Sequence, residues 1–460
     1  MQTARKGSVC ESFNDFLRSP RYIILIMLLT AVSFALGGEL VLYTLFAAIA
    51  LYTAFFGVDM LPIMPLLICC YIAPSTGNNP GRNAQSVFNG RSGGYIVVLG
   101  VVVLASALIW VIRNREMFFS QKKKLLSGLL VLSAAYLLGG IGHSGYEDVA
   151  GKHILFALTQ AAAITLPYWL FCGGINWKKV RHAYFAWIGV CAGCVLLLEL
   201  LWIYLTGNVI VEGVIVRSKI YTGWGMYNNL GGMLAMMIPF VFYLAFTYHK
   251  GWLGILAGMF FLLGVFFTCS RTSMLVALLC YGACCILMVF FGIRRKRNAA
   301  TTALVVALIV GCLLLFHRQI LLLFSQILDD AQEMDSRFHI YRNGIKEFMK
   351  SPVFGASFYP AEGLSWSWST TAITEILPAR WHNTYVQLLA STGAVGMLAY
   401  LLHRYQTIRL GLKLEKRKQV LIVFSALTLL VCSVTDCHFF NIGPTLFYSM
   451  ILAWLEKQRD

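Results

Sequence analysis

Long apolar runs separated by short polar stretches recur from one end of this chain to the other. A run of roughly 20 apolar residues, coiled as a helix, crosses a hydrocarbon core ~30 Å thick. The pattern predicts helices near 22–37, 39–56, 61–73, 95–112, 125–141, 153–172, 183–206, 229–248, 252–268, 273–292, 299–316, 383–403, 419–434 and 443–455. Some are short, so about 12 to 14 transmembrane helices is the expectation. The first run follows Arg18 and Arg21 with no small-residue cleavage site after it, and reads as a retained helix. The fold class is therefore all-α, a polytopic integral membrane protein. It divides into a first helix bundle (1–316), a long loop (317–382) and C-terminal transmembrane helices (383–460).

The polar breaks are unequal. Alternating topology puts 74–94, 142–152, 207–228 and the tight tip Cys269-Ser270-Arg271-Thr272 on one face, the outer one. Residues 317–382 join them there, a loop of about 65 residues, and connections of that length are usually functional. Within it, apolar positions at Phe338, Ile340, Tyr341, Ile345, Phe348 and Met349 predict an amphipathic helix on the membrane surface, stopped by Ser351-Pro352. Val353-Phe354-Gly355-Ala356-Ser357 then reads as a turn, and Trp366, Trp368 and Trp381 are expected at headgroup depth.

Composition agrees. Of 460 residues 58% are hydrophobic and 12% charged, against roughly 25% charged in soluble proteins. The net charge of +17 could suggest nucleic acid, but its distribution excludes that. Basic residues cluster in short loops at alternate helix ends: Arg113, Arg115 and Lys122–Lys124; Lys178, Lys179 and Arg181; Arg294–Arg297; and Arg404, Arg409, Lys413, Lys416, Arg417 and Lys418. The positive-inside rule makes these loops cytoplasmic, with both chain termini inside and anionic membrane lipids as partners. Most cysteines lie in apolar runs, where Cys191-Ala192-Gly193-Cys194 reads as packing in spite of its redox spacing.

Polar groups held at a membrane face are the natural carriers of chemistry in such a chain. The guanidinium groups of Arg217, Arg271, Arg337 and Arg342 present planar forks of donors that suit phosphate oxygens. Arg271, between apolar helices, is the hardest to explain as a snorkelling headgroup contact. His382 precedes the 383–403 helix and can accept a proton near neutral pH, while Asn383 can cap that helix. Neither a Walker loop nor a dinucleotide fingerprint occurs, and no metal-ligand spacing joins His143, His317, His339 and His438, so no cofactor or metal is expected.

In order, four segments resemble the O-antigen ligase and polymerase family of bacterial membrane glycosyltransferases. They are Arg217 to Asn229 opening a helix, the Ser270-Arg271 hairpin, Arg337 through Pro352-Val353-Phe354-Gly355, and His382-Asn383-Thr384-Tyr385-Val386-Gln387 running on to Gly393 and Gly396. The resemblance implies transfer of a glycan from an undecaprenyl-diphosphate-linked donor to a glycan or lipid acceptor, without metal, at the outer face of the cytoplasmic membrane. It maps Arg217 and Arg271 to the arginines that engage the diphosphate, His382 to the loop histidine, and either Arg337 or Arg342 to a further loop arginine. Asn383 joins the substrate-binding set. One departure is Ala356-Ser357, where the family commonly has a second glycine after Gly355; it puts the turn geometry in question. The rival readings are a flippase for lipid-linked oligosaccharide, which calls for ionisable residues buried along a path, and a peptidoglycan polymerase using an outer-loop aspartate in place of His382.

Overall fold

The computed structural model describes residues 9–72, 91–211, 214–222, 225–315, 331–359, 380–414 and 416–458. It is an all-α polytopic membrane protein in which each of the apolar runs is a helix. The order is α1 (Val9–Leu17), α2 (Pro20–Leu36), α3 (Glu39–Phe56), α4 (Ile63–Ile72), α5 (Arg91–Arg113), α6 (Arg115–Ser120), α7 (Leu126–Leu138), α8 (Tyr146–Gly174) and α9 (Ala183–Thr206). There follow α10 (Tyr227–Thr247), α11 (Gly251–Phe267), α12 (Arg271–Phe291), α13 (Arg295–Leu315), α14 (Ala331–Lys350), α15 (Thr384–Gly411), α16 (Val420–Cys432) and α17 (Ile442–Lys457). Among the described residues 7 helices are long and apolar enough to cross a membrane alone, or up to 8 if α1 and α2, bent by 69°, make one span. The expected 12 to 14 also counted apolar helices such as α4, α7 and α11, which are shorter than the roughly 20 residues of a full crossing.

The basic loops gather at one end. Lys457 Nζ donates to the Lys122 carbonyl at 2.9 Å and Lys123 Nζ to the Phe118 carbonyl at 2.7 Å. Arg297 lies 4.1 Å from the Trp252 ring centre and Arg417 4.3 Å from that of Phe291. Arg404 departs from the expected loop cluster. The α15 helix continues past the apolar run to Gly411 and carries Arg404 into the protein, 7% exposed. There the rings of Tyr400, Phe439 and Tyr448 surround it at 4.4, 4.6 and 4.9 Å, and it donates to the Tyr448 hydroxyl.

At the bundle centre α10 is buried from Asn229 to Ala245 and packs on α9, α11, α12 and α16. Its closest approaches use glycine. A Cβ on Gly231 would press on Thr268 and Ser273, and one on Gly232 would meet the His438 ring at 3.1 Å. The N-terminus of α10 is thereby wedged between the α11–α12 tip and the α16–α17 connection.

The long loop is tied to α15. That helix breaks at Gly393 (φ 64°, ψ −159°), and Pro352 to Ala356 fill the break. Ala394 N donates to Pro352 O at 2.8 Å, Val395 N to Val353 O at 3.1 Å, and Ala356 N to Ala390 O at 2.7 Å. The backbone groups freed by the break are satisfied in this way, as burial in an apolar setting demands. Both Gly355 (φ 72°) and Gly393 are left-handed, and a side chain on either would strike the opposing backbone.

The amphipathic helix is α14. Its Ile340 and Gly344 pack on Trp381 and Val386, so Trp381 is 2% exposed and its ring is covered by protein. Phe338, Ile345 and Met349 remain on its open side. Trp366, Trp368, the 74–90 part of the first polar break and His317 lie outside the described residues.

Candidate functional site

The α16–α17 connection, 433–441, organises the end opposite the basic loops. Short loops between helices that must pack closely leave few backbone choices, and here the polar side chains of Thr435, Asp436, His438 and Asn441 each meet a different part of the chain. Thr435 Oγ1 donates to Thr272 Oγ1 at 2.7 Å, next to Arg271, and its carbonyl accepts from Arg337 Nη1 at 3.4 Å. Asp436 Oδ1 lies 3.6 Å from His382 Nδ1. Asn441 Oδ1 accepts from Arg380, while its amide nitrogen donates to Asn229 Oδ1 at 2.5 Å.

His382 is held from several directions. Its carbonyl accepts from the Tyr341 hydroxyl at 3.0 Å, and its backbone sits at φ 48°. That left-handed conformation costs a non-glycine residue roughly 1–2 kcal/mol, and strain of this kind is a mark of functional positions. The side chain is 36% exposed. Neighbouring Asn383 caps α15: its Oδ1 accepts from Tyr385 N at 2.8 Å and Val386 N at 3.1 Å, and its amide donates to Val434 O at 2.7 Å. Thr384 N donates to Ser433 O at 2.9 Å, which laces the two loops together.

Burial alone would raise the Asp436 carboxyl. The two histidines and the Cys437 N–H at 2.7 Å outweigh it and hold the group well below the usual carboxylate range. His438, buried, is pushed down by desolvation, with Asp436 opposing that and Arg380 reinforcing it. The result is an ionised aspartate beside the Nδ1 edge of a half-open imidazole.

Arg217 opens a 3-10 turn presented between two small hairpins, Ile210–Val211 with Val214–Ile215 and Tyr221–Thr222 with Gly225–Met226. Its guanidinium lies 5.8 Å from the Tyr227 ring centre, and its charge is felt by Cys269 in the α11–α12 tip. Arg271 is the first residue of α12, after Cys269 (φ 56°) and Ser270, whose hydroxyl donates to Ser273 Oγ at 2.9 Å. Arg337 joins the assembly through Thr435, whereas Arg342 is exposed on α14. Through the contacts above, the N-terminal ends of α10, α12, α15 and α17 all meet 433–441. Helix N-termini carry a partial positive charge and unpaired N–H groups, each favouring an anion by about 0.3–1 kcal/mol.

The departure at Ser357 is also resolved. It sits at φ 80°, a glycine-like conformation. Its hydroxyl lies 2.9 Å from His153 Nδ1, and its Oγ accepts from Tyr359 N at 3.1 Å. His153 Nε2 reaches the Tyr136 carbonyl at 2.9 Å, so that nitrogen carries the hydrogen and Nδ1 accepts from Ser357 and from Phe358 N at 3.2 Å. Side-chain hydrogen bonds keep the turn that a glycine would otherwise permit.

Sequence reasoning missed Asp436, Arg380, Asn229 and Asn441. A signal existed for the first: an aspartate in a tip of a few residues between two apolar runs. Arg380 reads from the sequence as one more residue of the long loop.

Residues 256–401 match the family model described as O-antigen ligase, which supports a glycosyltransferase of ligase or polymerase type. The matched stretch takes in Arg271, Arg337, Arg342, His382 and Asn383; Arg217 precedes it and Asp436 follows it. No curated protein gives a significant match.

Proposed function

We propose that this chain, whose residues 256–401 match the O-antigen ligase family model, moves a glycan from undecaprenyl diphosphate onto an acceptor hydroxyl. The observation that carries this reading is the ionised Asp436 beside His382, on the same short segment that anchors Arg337 and the Arg271 tip. The reaction occurs at the outer face of the bacterial cytoplasmic membrane, opposite the basic loops, in accord with the positive-inside rule.

The donor's leaving group is a diphosphate. Arg271 and Arg217, with the helix N-termini behind them, neutralise the charge that develops on it as the glycosyl bond breaks. Arg337 is a further contact, and Arg342 is assigned to the rim. A diphosphate leaves without a strong general acid. The acceptor hydroxyl must lose its proton, and that proton goes to Nε2 of His382. The Asp436 carboxylate, 3.6 Å from Nδ1, favours the tautomer with its hydrogen there and stabilises the imidazolium that forms. Asn383 fixes His382 by capping α15. Direct displacement inverts the anomeric centre. No step calls for a metal. The acceptor, glycan or lipid, decides between polymerase and ligase.

The flippase reading draws on Glu199 and Arg404, buried within α9 and α15. The aspartate-based peptidoglycan reading draws on Asp436, but here the aspartate stands beside the histidine and not in its place. The deciding experiment reconstitutes the full chain in liposomes with an undecaprenyl-diphosphate-linked glycan, with and without chelator. Glycan transfer with release of undecaprenyl diphosphate in both conditions is expected. Translocation without transfer would establish the flippase, and strong inhibition by chelator would overturn the metal-free mechanism.

A further inference from the structure

Along the 433–441 segment the contacts fall in order. Thr435 meets the Arg271 tip and Arg337, Asp436 meets His382, and Asn441 meets Arg380. Along the segment, arginine contacts thus occur both before and after the residue that faces the imidazole, and the later one, Arg380, has no role assigned so far. Arg380 is partly exposed, two residues before His382. One hydrogen bond fixes it, to Asn441 Oδ1, and Asn441 is itself held by Asn229 of α10 at 2.5 Å. Around it stand Tyr71, Tyr359, Cys437 and His438, all within its electrostatic reach. Among the described residues no carboxylate pairs with it. A guanidinium has five N–H donors in a fixed fork, and Asn441 occupies one end of it. A cation anchored at one end of its fork, partly exposed and with no acidic partner among the described residues, is arranged for an anion that arrives from outside.

We infer that Arg380 is a binding residue of this same site, taking a phosphoryl group of a substrate at the Asn441 end of the 433–441 segment. This rests on the glycosyl-transfer reading above and adds to it. The phosphoryl group has two possible sources: the donor's diphosphate, or an anionic group carried by the acceptor. The chemistry of recognition is the same.

The test uses the purified full chain in nanodiscs, with undecaprenyl diphosphate as the first probe. If Arg380 serves the donor, Arg380→Gln weakens binding by about 10- to 100-fold, the range for losing a hydrogen bond to a charged group. If it serves the acceptor, Arg380→Gln leaves that affinity unchanged. Inorganic phosphate titrated into wild-type protein saturated with undecaprenyl diphosphate then binds a second site, and the variant loses it. In either arm Asn441→Ala, which keeps the charge and removes its anchor, weakens the same binding less, and the thermal midpoint of Arg380→Gln stays at the wild-type value. Unchanged binding of both probes by Arg380→Gln overturns the inference, as does a loss of thermal stability with no change in affinity. Should wild-type protein and Arg271→Gln bind undecaprenyl diphosphate equally poorly, the glycosyl-transfer reading itself falls, and this inference with it.

Discussion

Two histidines on the α15 side of the molecule show how environment sorts one residue type into two kinds of work. His153 is fully buried and both ring nitrogens are engaged, Nε2 with the Tyr136 carbonyl, Nδ1 with Ser357 and the Phe358 N–H. His382 is half-open, has a carboxylate 3.6 Å from Nδ1, and sits on a left-handed backbone. The first is saturated and can only hold a turn. On the proposed reading, the second keeps one nitrogen for a reactant. A saturated imidazole and a half-open one differ in what their neighbours leave undone.

The contrast breaks first at His382. Its replacement by alanine should cut transfer by about 10²–10⁴-fold, the usual contribution of a general base, while the thermal midpoint barely moves. Steady-state transfer assays on the reconstituted chain measure this, and full activity would remove the base assignment. Next in size is Arg271→Lys, which keeps the charge and loses the fork. Donor affinity should fall roughly 10- to 100-fold, read from the donor dependence of the rate; a lysine as good as arginine would end the case for bidentate diphosphate recognition.

His153→Ala is expected to invert the pattern. It strands the Ser357 hydroxyl and the Phe358 N–H in a buried joint, a cost of about 1–3 kcal/mol, seen in unfolding midpoints, with the donor and acceptor KM values preserved. A selective loss of transfer in a variant of undiminished stability would show that the two histidines are not so different. The smallest effect concerns acid. Asp436 has a folded-state value below its unfolded one, so its contribution to stability is present at neutral pH and above, and is lost as pH falls below the ordinary carboxylate range. Asp436→Asn should therefore flatten the acid limb of a stability–pH curve, and an unaltered limb would mean the carboxylate is not held as described.

Much of the architecture was legible because lipid imposes a simple rule. Apolar runs had to be helices, and basic loops had to share an end. His382, Arg271 and the turn at Gly355 also stood out, since polar and glycine residues are scarce in such surroundings. What the pattern could not give was distance in the chain converted to contact. Asp436 is 54 positions from His382 (436 − 382), and only the lacing of Ser433 and Val434 onto Asn383 and Thr384 at the start of α15 joins them. Trp381 looked like an interfacial ring because its polar neighbours hid the docking of α14. Arg404 looked like a loop residue because hydropathy reports where an apolar run stops, whereas the helix continues as long as something inside can cover its next residue. For Arg404 that cover is three aromatic faces.

The meeting of four helix beginnings at 433–441 bears on how mutational surveys of this protein will look. On the proposed reading, part of the attraction for an incoming anion comes from main-chain amides, which substitution by any residue other than proline leaves in place. Single arginine losses should leave a measurable residue of donor capture, and combined losses should still stop short of zero. Inserting a proline within the opening turn of α12, which removes an amide hydrogen and adds no charge, would probe the part of the grip that side-chain scanning never touches.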